Sequence, residues 1–302
     1  MRQNDFGNWN KLNQDLRSFM VSTSNKRWKQ RYPKFRAHSF GDKKEAYALV
    51  TGICEIPKQY AFLTSMAQLT ASMIRSTTSS VSCFVVKDCL GAGARQVMCI
   101  RKIRKFDEQI GTDRTMYLNI LQPHKPARTC HEVVRYVKER MSLTQHLHPS
   151  GKPRVIIEEY IEGSSDCSGP VDYKVYVIGG QVRGIHMFWR GESKYEAAFT
   201  SDWIRVPLSR FYAVPENNEY LDRPASLPIL LPDEKTRNRL LNIATRLAAR
   251  HRALFCRYDF YISGRRILLG EITPVCGGIK NYPLTHEALN RLFPPKVRAK
   301  YG

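Results

Sequence analysis

Two acidic residues stand on neighbouring apolar segments near the end of the chain, in the stretch RYDFYISGRRILLGEITPVCGG. Asp259 lies in CRYDFYI and Glu271 in RILLGEI, and the residues between them predict a β-hairpin. A three-residue loop at 264–266 would place the two carboxylates directly opposite each other on one face, whereas a two- or four-residue loop would place them on opposite faces. Adjacent carboxylates repel each other, so such a pair normally serves a cation or a shared proton.

Magnesium suits this pair, because hard oxygen ligands and nucleotide phosphates are its usual surroundings. Arg257 lies two residues before Asp259 and therefore on the same face of the strand. The alternative is that the two acids only neutralise Arg257 and Arg265. The hairpin alone leaves both interpretations open.

A second group of residues favours phosphate chemistry. Lys87 ends the apolar run CFVVK, and Gly91 and Gly93 follow in DCLGAGARQV. Glycines allow backbone N–H groups to approach an anion closely. The spacing matches neither the P-loop nor the dinucleotide fingerprint, and an ordinary hairpin turn is the alternative.

The segments that must position these residues alternate between helix and strand patterns. Residues 41–76 have a helical pattern in which Phe62, Met66, Leu69 and Met73 recur on one face. A capping box at Thr129 opens a helix that is predicted to extend to residue 147, and another helix is predicted over 233–252. RVIIEEYIEG and VDYKVYVIGGQVRGIHMFW are typical of strands. Because these elements lack a strict βαβ rhythm, the predicted class is α+β.

The charge balance indicates polyanionic partners. Lysine and arginine exceed the acids by 21, which attracts nucleic acid, anionic surfaces, acidic polysaccharides or nucleotide phosphates. The basic, aromatic segment at 26–36 leaves nucleic acid open as a partner. The eight cysteines form no C-x-x-C pair, and no segment is long and apolar enough for a signal peptide or a transmembrane helix. We therefore expect reduced thiols and a cytoplasmic protein with access to ATP, and peripheral membrane contact stays open.

The order of these features resembles the ATP-grasp superfamily, and most of all its TupA-like branch, which is associated with teichuronopeptide biosynthesis. The resemblance rests on the lysine-ended strand with its glycine turn, then VIIEEYIEG, DYKVYVIGG, RYDFY and GEITPVCGG, and it covers residues 42–282. It implies an α+β fold in which two subdomains clasp ATP. The expected segments are a basic arm (1–40), a helical N-terminal region (41–78), a lid with the phosphate flap (79–160) and a C-terminal subdomain with the metal site (161–302).

The resemblance also implies roles in binding ATP and Mg²⁺. Lys87 looks like the lysine that bridges the phosphates, and Gly91 and Gly93 look like part of the flexible flap. Asp259 and Glu271 would be the magnesium ligands. The remaining implied roles are adenine contacts for Glu158, Glu159 and Ile161, ribose binding for Asp172, a phosphate contact for Lys174, stabilisation of the transferred phosphoryl group for Arg257, and oxyanion contacts for Gly277 and Gly278.

The sequence departs from the family pattern at several positions. Thr273 stands where the family often has an asparagine metal ligand, which puts the third protein ligand in doubt. An insertion, SSDCSGPV, leaves Asp166 and Asp172 as alternatives for the ribose. The flap DCLGAGA differs from the commoner glycine and serine forms. We also expect no full nucleotide-like N-terminal domain in this sequence, because the residues before Ser76 have a short, helical pattern.

The residues described above are compatible with three functions. The first is an ADP-forming ligase that joins a carboxylate, on a small molecule or an acidic polysaccharide, to an amine or amino acid through an acyl phosphate. The second is a kinase on the same scaffold, and the third is a nucleic-acid-binding protein with a vestigial ATP site. Either a solvated loop or an acceptor pocket explains Arg190, Lys194 and Asp202.

Overall fold

The fold is seen in a computed structural model. It describes residues 43–89, 97–107, 112–120, 128–143, 154–163, 170–178, 180–190, 194–207, 221–222, 229, 231–251 and 255–273. The basic arm at 26–36, Asp166 and the predicted flap and oxyanion glycines (Gly91, Gly93, Gly277 and Gly278) lie outside these ranges. So do the side chains of Arg190 and Lys194.

The first sheet has five antiparallel strands in the order β1-β5-β2-β3-β4. Helices α2 and α3 pack on one face of it, over a core that includes Phe84, Ile100, Val133 and Ile157. The elements of this half are α1 (Lys43–Leu49), β1 (Gln59–Leu63), a short 3-10 helix (Met66–Gln68), α2 (Ala71–Thr77), β2 (Cys83–Asp88), β3 (Val97–Asp107), β4 (Thr112–Asn119), α3 (Cys130–Ser142) and β5 (Val155–Glu159).

The second sheet has seven strands in the order β10-β8-β7-β6-β11-β12, with β9 paired to β8. Only the β8–β10 pair is parallel among the described strands. Helix α4 packs on β6 and β7 over the larger core. The elements are β6 (Val171–Ile178), β7 (Gln181–Arg190), β8 (Lys194–Phe199), β9 (Arg205–Val206), β10 (Leu221–Asp222), α4 (Glu234–His251), β11 (Phe255–Ser263) and β12 (Arg266–Thr273).

The predicted α+β class is confirmed, and so are the two long helices. The Thr129 hydroxyl accepts from the Glu132 N–H while the Glu132 carboxylate accepts from the Thr129 N–H, and α3 follows directly. α3 ends at Ser142, five residues earlier than predicted. In α4, Leu240, Ile243, Ala244 and Leu247 are buried as expected. None of the described helices is long and apolar enough to cross a membrane.

The predicted helical region at 41–78 is wrong for its middle part. Residues 59–63 form the edge strand β1, which pairs with β5. Ser65 caps a separate 3-10 turn and Thr70 caps α2, so hydroxyl side chains restart the helix twice. Met66, Leu69 and Met73 still contact one core, because successive short elements turn them to the same side.

In the hairpin of β11 and β12, Asp259 lies opposite Glu271, as a three-residue loop would place it, but the turn is one residue shorter. Ser263 pairs with Arg266, so the turn has two central residues, and Gly264 adopts a positive φ of 56° as type II′ turns require. A two-residue turn alone would place the acids on opposite faces. A β-bulge between Asp259 and Phe260 inserts Gly270 on the partner strand and pairs Asp259 with Glu271.

Candidate active site

One face of the seven-stranded sheet carries a row of polar residues from neighbouring strands. The register pairs Glu271 with Asp259, Asp259 with Lys174, and Lys174 with His186. Directly paired residues lie on the same side of a sheet, so these four side chains share one face. The alternate residues of these strands are apolar and pack under α4. We call these four residues, with the adjacent Asp172 and Arg257, the polar row.

Ion pairs connect the centre of the polar row. The Lys174 ammonium donates to Asp172 Oδ2 at 2.7 Å and to Asp259 Oδ2 at 2.6 Å. Arg257 donates two hydrogen bonds to the Asp259 carboxylate, from Nε to Oδ1 at 2.6 Å and from Nη2 to Oδ2 at 2.8 Å. Asp172, Lys174 and Asp259 are buried, so water screens these charges little. The structure thus brings Asp172 and Lys174 of β6 together with Arg257 and Asp259 of β11.

The metal-binding prediction fits the carboxylates at one end of the row. Glu271 is half-buried beside Asp259, and Thr273 Oγ1 donates to Glu271 Oε1 at 3.5 Å. Magnesium commonly binds one or two carboxylates and completes its shell with water and substrate phosphates, so two acids suffice. The residues that the structure describes contain no group of three or more His, Cys, Asp or Glu side chains that could hold a metal.

Lys87 lies in a second polar group, on the five-stranded sheet. It forms a buried ion pair with Glu158 on β5, and its ammonium donates to the Tyr47 hydroxyl at 2.8 Å. The same hydroxyl donates to Glu158 Oε2 at 3.2 Å. Burial, and then the charge of Glu158, raises the pKa of Tyr47 well above its ordinary value. We call Lys87, Glu158 and Tyr47 the Lys87 cluster.

Lys43 was not singled out from the sequence, yet charges of both groups act on it. It begins α1, its N–H donates to the Cys89 carbonyl, and its side chain is only 6% exposed. Burial lowers the pKa of Lys43, whereas the charges of Glu271 and Glu158 oppose that shift. In the sequence KKEAY nothing distinguishes Lys43 from the exposed Lys44.

The predicted adenine-contact residues surround the end of β5. Glu159 points away from the Lys87 cluster and pairs with Arg266 of β12, whose Nη1 lies 2.6 Å from Glu159 Oε1. This hydrogen bond is the main reason why the pKa of Glu159 is lowered. Ile161 follows β5 and is buried. Glu159 therefore joins the two sheets through its side chain.

His186 of the polar row and the carboxylate that pairs with it, Glu196, were also not predicted from the sequence. His186 Nε2 lies 2.9 Å from Glu196 Oε2, and both residues are buried. The His186 ring stands 4.1 Å from the ring of Phe188, over which Lys174 lies. Burial lowers the pKa of His186, assisted by Lys174 and Arg257 and opposed by Glu196. The signal lay in the alternation of IHMFW, which becomes informative only when the register with Lys174 is known.

Of the predicted acceptor residues Arg190, Lys194 and Asp202, the structure describes the side chain of Asp202 alone. The β7–β8 pairing joins Arg190 to Lys194 at the end of the hairpin. Asp202 is exposed beyond β8, and its backbone N–H donates to the Thr200 hydroxyl. The prediction that these residues bind an acceptor stays a prediction.

Comparisons with known proteins identify a family for this chain. The family model TupA-like ATPgrasp matches residues 28–289. No curated protein matches the chain. Solved structures that resemble it include the D-alanine–D-alanine ligase of Helicobacter pylori (11% identity, 85% of this chain and 62% of that chain, TM-score 0.47) and that of Bacillus anthracis (15%, 87% and 67%, TM-score 0.45). The L-amino acid ligase of Bacillus licheniformis gives 12% identity, 80% and 42% coverage and a TM-score of 0.41.

The chain is therefore an ATP-grasp protein. Within that class it belongs to the TupA-like family, because the family model covers most of its length. The chain spans only 54% of the first structure in the comparison, and 42–67% of the three named above. The family assignment rests on the family model.

Proposed function

We propose that this protein is an ATP-dependent, ADP-forming ligase that joins a carboxylate to an amine through an acyl phosphate. The observation that carries the proposal is the pairing of Asp259 with Glu271 on the face that also holds Arg257 and Lys174. Carboxylates for a metal and cations for phosphoryl oxygens are the groups that phosphoryl transfer requires. Membership of the TupA-like ATP-grasp family supports it.

Most of the predicted site residues that the structure describes have a role in this scheme. Lys87 and Lys174 would neutralise the terminal phosphates, and Arg257 would stabilise the charge on the phosphoryl group in transit. Asp259 and Glu271 would hold Mg²⁺, which when bound would offset charge on the phosphate oxygens. Glu159 and Ile161 would contact adenine, and Asp172 would bind the ribose. Lys174 and Arg257 contact the Asp259 carboxylate oxygens, so these cations hold the carboxylate in place.

The chemistry runs in two steps. A carboxylate oxygen of the acceptor attacks the γ-phosphorus, and the bond from that phosphorus to the bridging oxygen of ADP breaks. The amine then attacks the acyl carbon, loses a proton, and expels inorganic phosphate. Positioning and charge stabilisation supply most of the acceleration, so losing one such group costs on the order of 3 kcal/mol in the barrier.

For the substrates, we propose an acidic glycan or a peptide-like acid as the acceptor and an amino acid or small amine as the nucleophile. The excess of 21 positive charges supports a polyanionic acceptor, because a basic surface raises its local concentration. The β7–β8 hairpin, with Arg190 and Lys194 at its end, is the segment we expect to contact that acceptor.

The test is incubation with ATP, Mg²⁺ and candidate acid–amine pairs, followed by mass spectrometry of the products. An amide together with ADP and phosphate is the expected result. A phosphate ester would instead identify a kinase that uses the same apparatus with a hydroxyl acceptor. Absence of ATP turnover, together with nucleic-acid binding that weakens steeply with salt, would favour the binding-protein alternative.

Variants test the site itself. We expect Asp259→Asn and Glu271→Gln to reduce ATP turnover about a hundredfold or more, with unchanged circular dichroism. Glu139→Gln is the matched control, because this exposed carboxylate lies on α3, which packs on the other sheet. Wild-type turnover in either site variant would contradict the assignment.

A further inference from the structure

A cavity of about 680 Å³ lies between α4 and the segment that follows α1. Its walls include Arg239, Asn242 and Arg246 of α4 on one side, and Ile53 and Ile267 on the other. Helix α4 packs against the sheet face opposite the polar row. The cavity is therefore separate from the proposed ATP site.

The helix side of the cavity is cationic. Residues 239, 242 and 246 recur at the spacing that places side chains on one face of a helix. Arg239 lies 3.9 Å from Glu55 and donates to the Arg265 carbonyl, so its positive charge is only loosely balanced. Across the part of the chain that the structure describes, no hydrogen bond or ion pair holds the exposed Arg246. The Arg246 guanidinium and the Asn242 amide, one helical turn apart, can therefore both donate hydrogen bonds to an anion.

The remaining surface of the cavity is mainly apolar and includes one acid, Glu55, whose carboxylate pairs with Arg266 at 3.0 Å and lies 3.9 Å from Arg239. Ile53, Ile243 and Ile267 contribute to its lining and belong to the larger core or pack against it. The Cys54 thiol donates to the Ile267 carbonyl at 3.4 Å, and burial raises its pKa to about 12. Cys54 is therefore a neutral part of the wall and a poor nucleophile.

Backbone contacts hold the two sides of the cavity in place. The Leu269 N–H donates to the Glu55 carbonyl at 2.9 Å, which ties the loop to β12. Arg250 of α4 donates to the Thr51 carbonyl at 2.6 Å, which ties the same loop to the helix. A cavity that is already formed loses little ordering entropy on binding.

We propose that this cavity is a second ligand site, which binds a small organic acid with a short aliphatic body. The carboxylate would accept hydrogen bonds from Arg246 and Asn242, and the aliphatic part would cover the half-buried Ile53 and Cys54. A cationic rim above an apolar floor matches that ligand class and disfavours cations and purely polar anions. The cavity shares no residue with the polar row, so ligand binding in it does not depend on the proposed ligase activity.

The test is calorimetric titration of the full chain with hexanoate, 1-hexanol and inorganic phosphate. Hexanoate is expected to bind with one site, at least tenfold more tightly than either of the other probes. Hexanol or phosphate binding as tight as that of hexanoate would overturn the proposal, and so would an absence of hexanoate binding.

Two variants and one competitor locate the site. Arg246→Gln should weaken hexanoate binding about tenfold or more, since hydrogen bonds to charged groups contribute about 1.5–3 kcal/mol. Arg135→Gln, which removes an exposed charge from α3, should leave binding unchanged. Unchanged binding in Arg246→Gln would overturn the proposal. Displacement of hexanoate by excess ATP with Mg²⁺ would place it at the polar row, which would also overturn the proposal.

Discussion

The Lys87 cluster and the polar row differ in how they are assembled and in the charge they leave over. The polar row has three carboxylates (Asp172, Asp259 and Glu271) against two cations (Lys174 and Arg257), which leaves a formal negative charge. In the Lys87 cluster one carboxylate, Glu158, faces one cation, Lys87, which leaves no formal charge, and the charge of Lys43 acts on both groups. The negative surplus of the polar row suits a metal ion.

The two groups also differ in what their charges do for the fold. In the Lys87 cluster an isolated ion pair is enclosed by α1, so removing one partner leaves a buried charge without compensation. In the polar row Asp259 pairs with both Lys174 and Arg257, and Lys174 pairs with both Asp259 and Asp172, so a substitution redistributes contacts. We therefore expect substitutions in the cluster to affect stability most and those in the row to affect ligand binding most.

The largest effect is expected for Glu158→Gln. It should lower the free energy of unfolding by about 3–5 kcal/mol, because the Lys87 ammonium is left buried without a carboxylate. Urea denaturation measures this. The double variant Lys87→Met/Glu158→Gln should regain most of the loss, since glutamine still accepts from Tyr47, yet it should stay inactive. A double variant as unstable as the single one would show that the pair is not the cause.

The next effect concerns ligand-induced stabilisation. Mg²⁺ with an ATP analogue at about a hundred times its dissociation constant should stabilise the wild type by about 2.7 kcal/mol. Asp259→Asn should lose most of this gain while keeping its stability without ligand within about 1–2 kcal/mol. Thermal shift measurements with and without Mg²⁺ check it. An equal shift in both proteins would argue against Asp259 as a ligand.

A smaller effect is expected for Gly270→Ala at the bulge. A Cβ at residue 270 would lie 2.6 Å from Tyr261 Cε2, so the ring or the bulge must move, at a cost of about 1–3 kcal/mol. Tyr261→Ala should remove the clash in the double variant. Denaturation gives the stability, and turnover reports whether Glu271 stays opposite Asp259. A single variant with wild-type stability and turnover would contradict the role of the bulge.

The smallest effect is a pH dependence from His186. Burial lowers its pKa in the folded state, so the unfolded chain binds more protons just below the ordinary histidine pKa of about 6.5. Its contribution to stability is complete above that pH and is lost as the pH falls through the folded pKa. The slope is at most about 1.4 kcal/mol per pH unit. Tm measured from pH 7 to 5 should fall less in His186→Gln than in the wild type, and equal slopes would refute this source.

Much of this molecule could be anticipated from local patterns. The capping box before α3, the buried face of α4 and the strands around Lys87 and Asp172 depend on neighbours within a few residues, so periodicity and capping identify them. The apolar spacing of residues 41–76 predicts helix, although residues 59–63 form a strand. The pairing of β1 with β5, almost a hundred residues away, overrides that local preference.

The sequence by itself determined the chemical types in the site: a lysine at a strand end, two acids on a hairpin, and an arginine two residues before one of them. Only the tertiary structure decided which of them meet. The bulge at Gly270 compensates for the two-residue turn, so the pairing of Asp259 with Glu271 depends on the register of the whole hairpin. Lys43 lies within the electrostatic influence of both groups, and His186 joins the polar row through the pairing of β6 with β7; both depend on segments that are distant in sequence, which local spacing does not reveal.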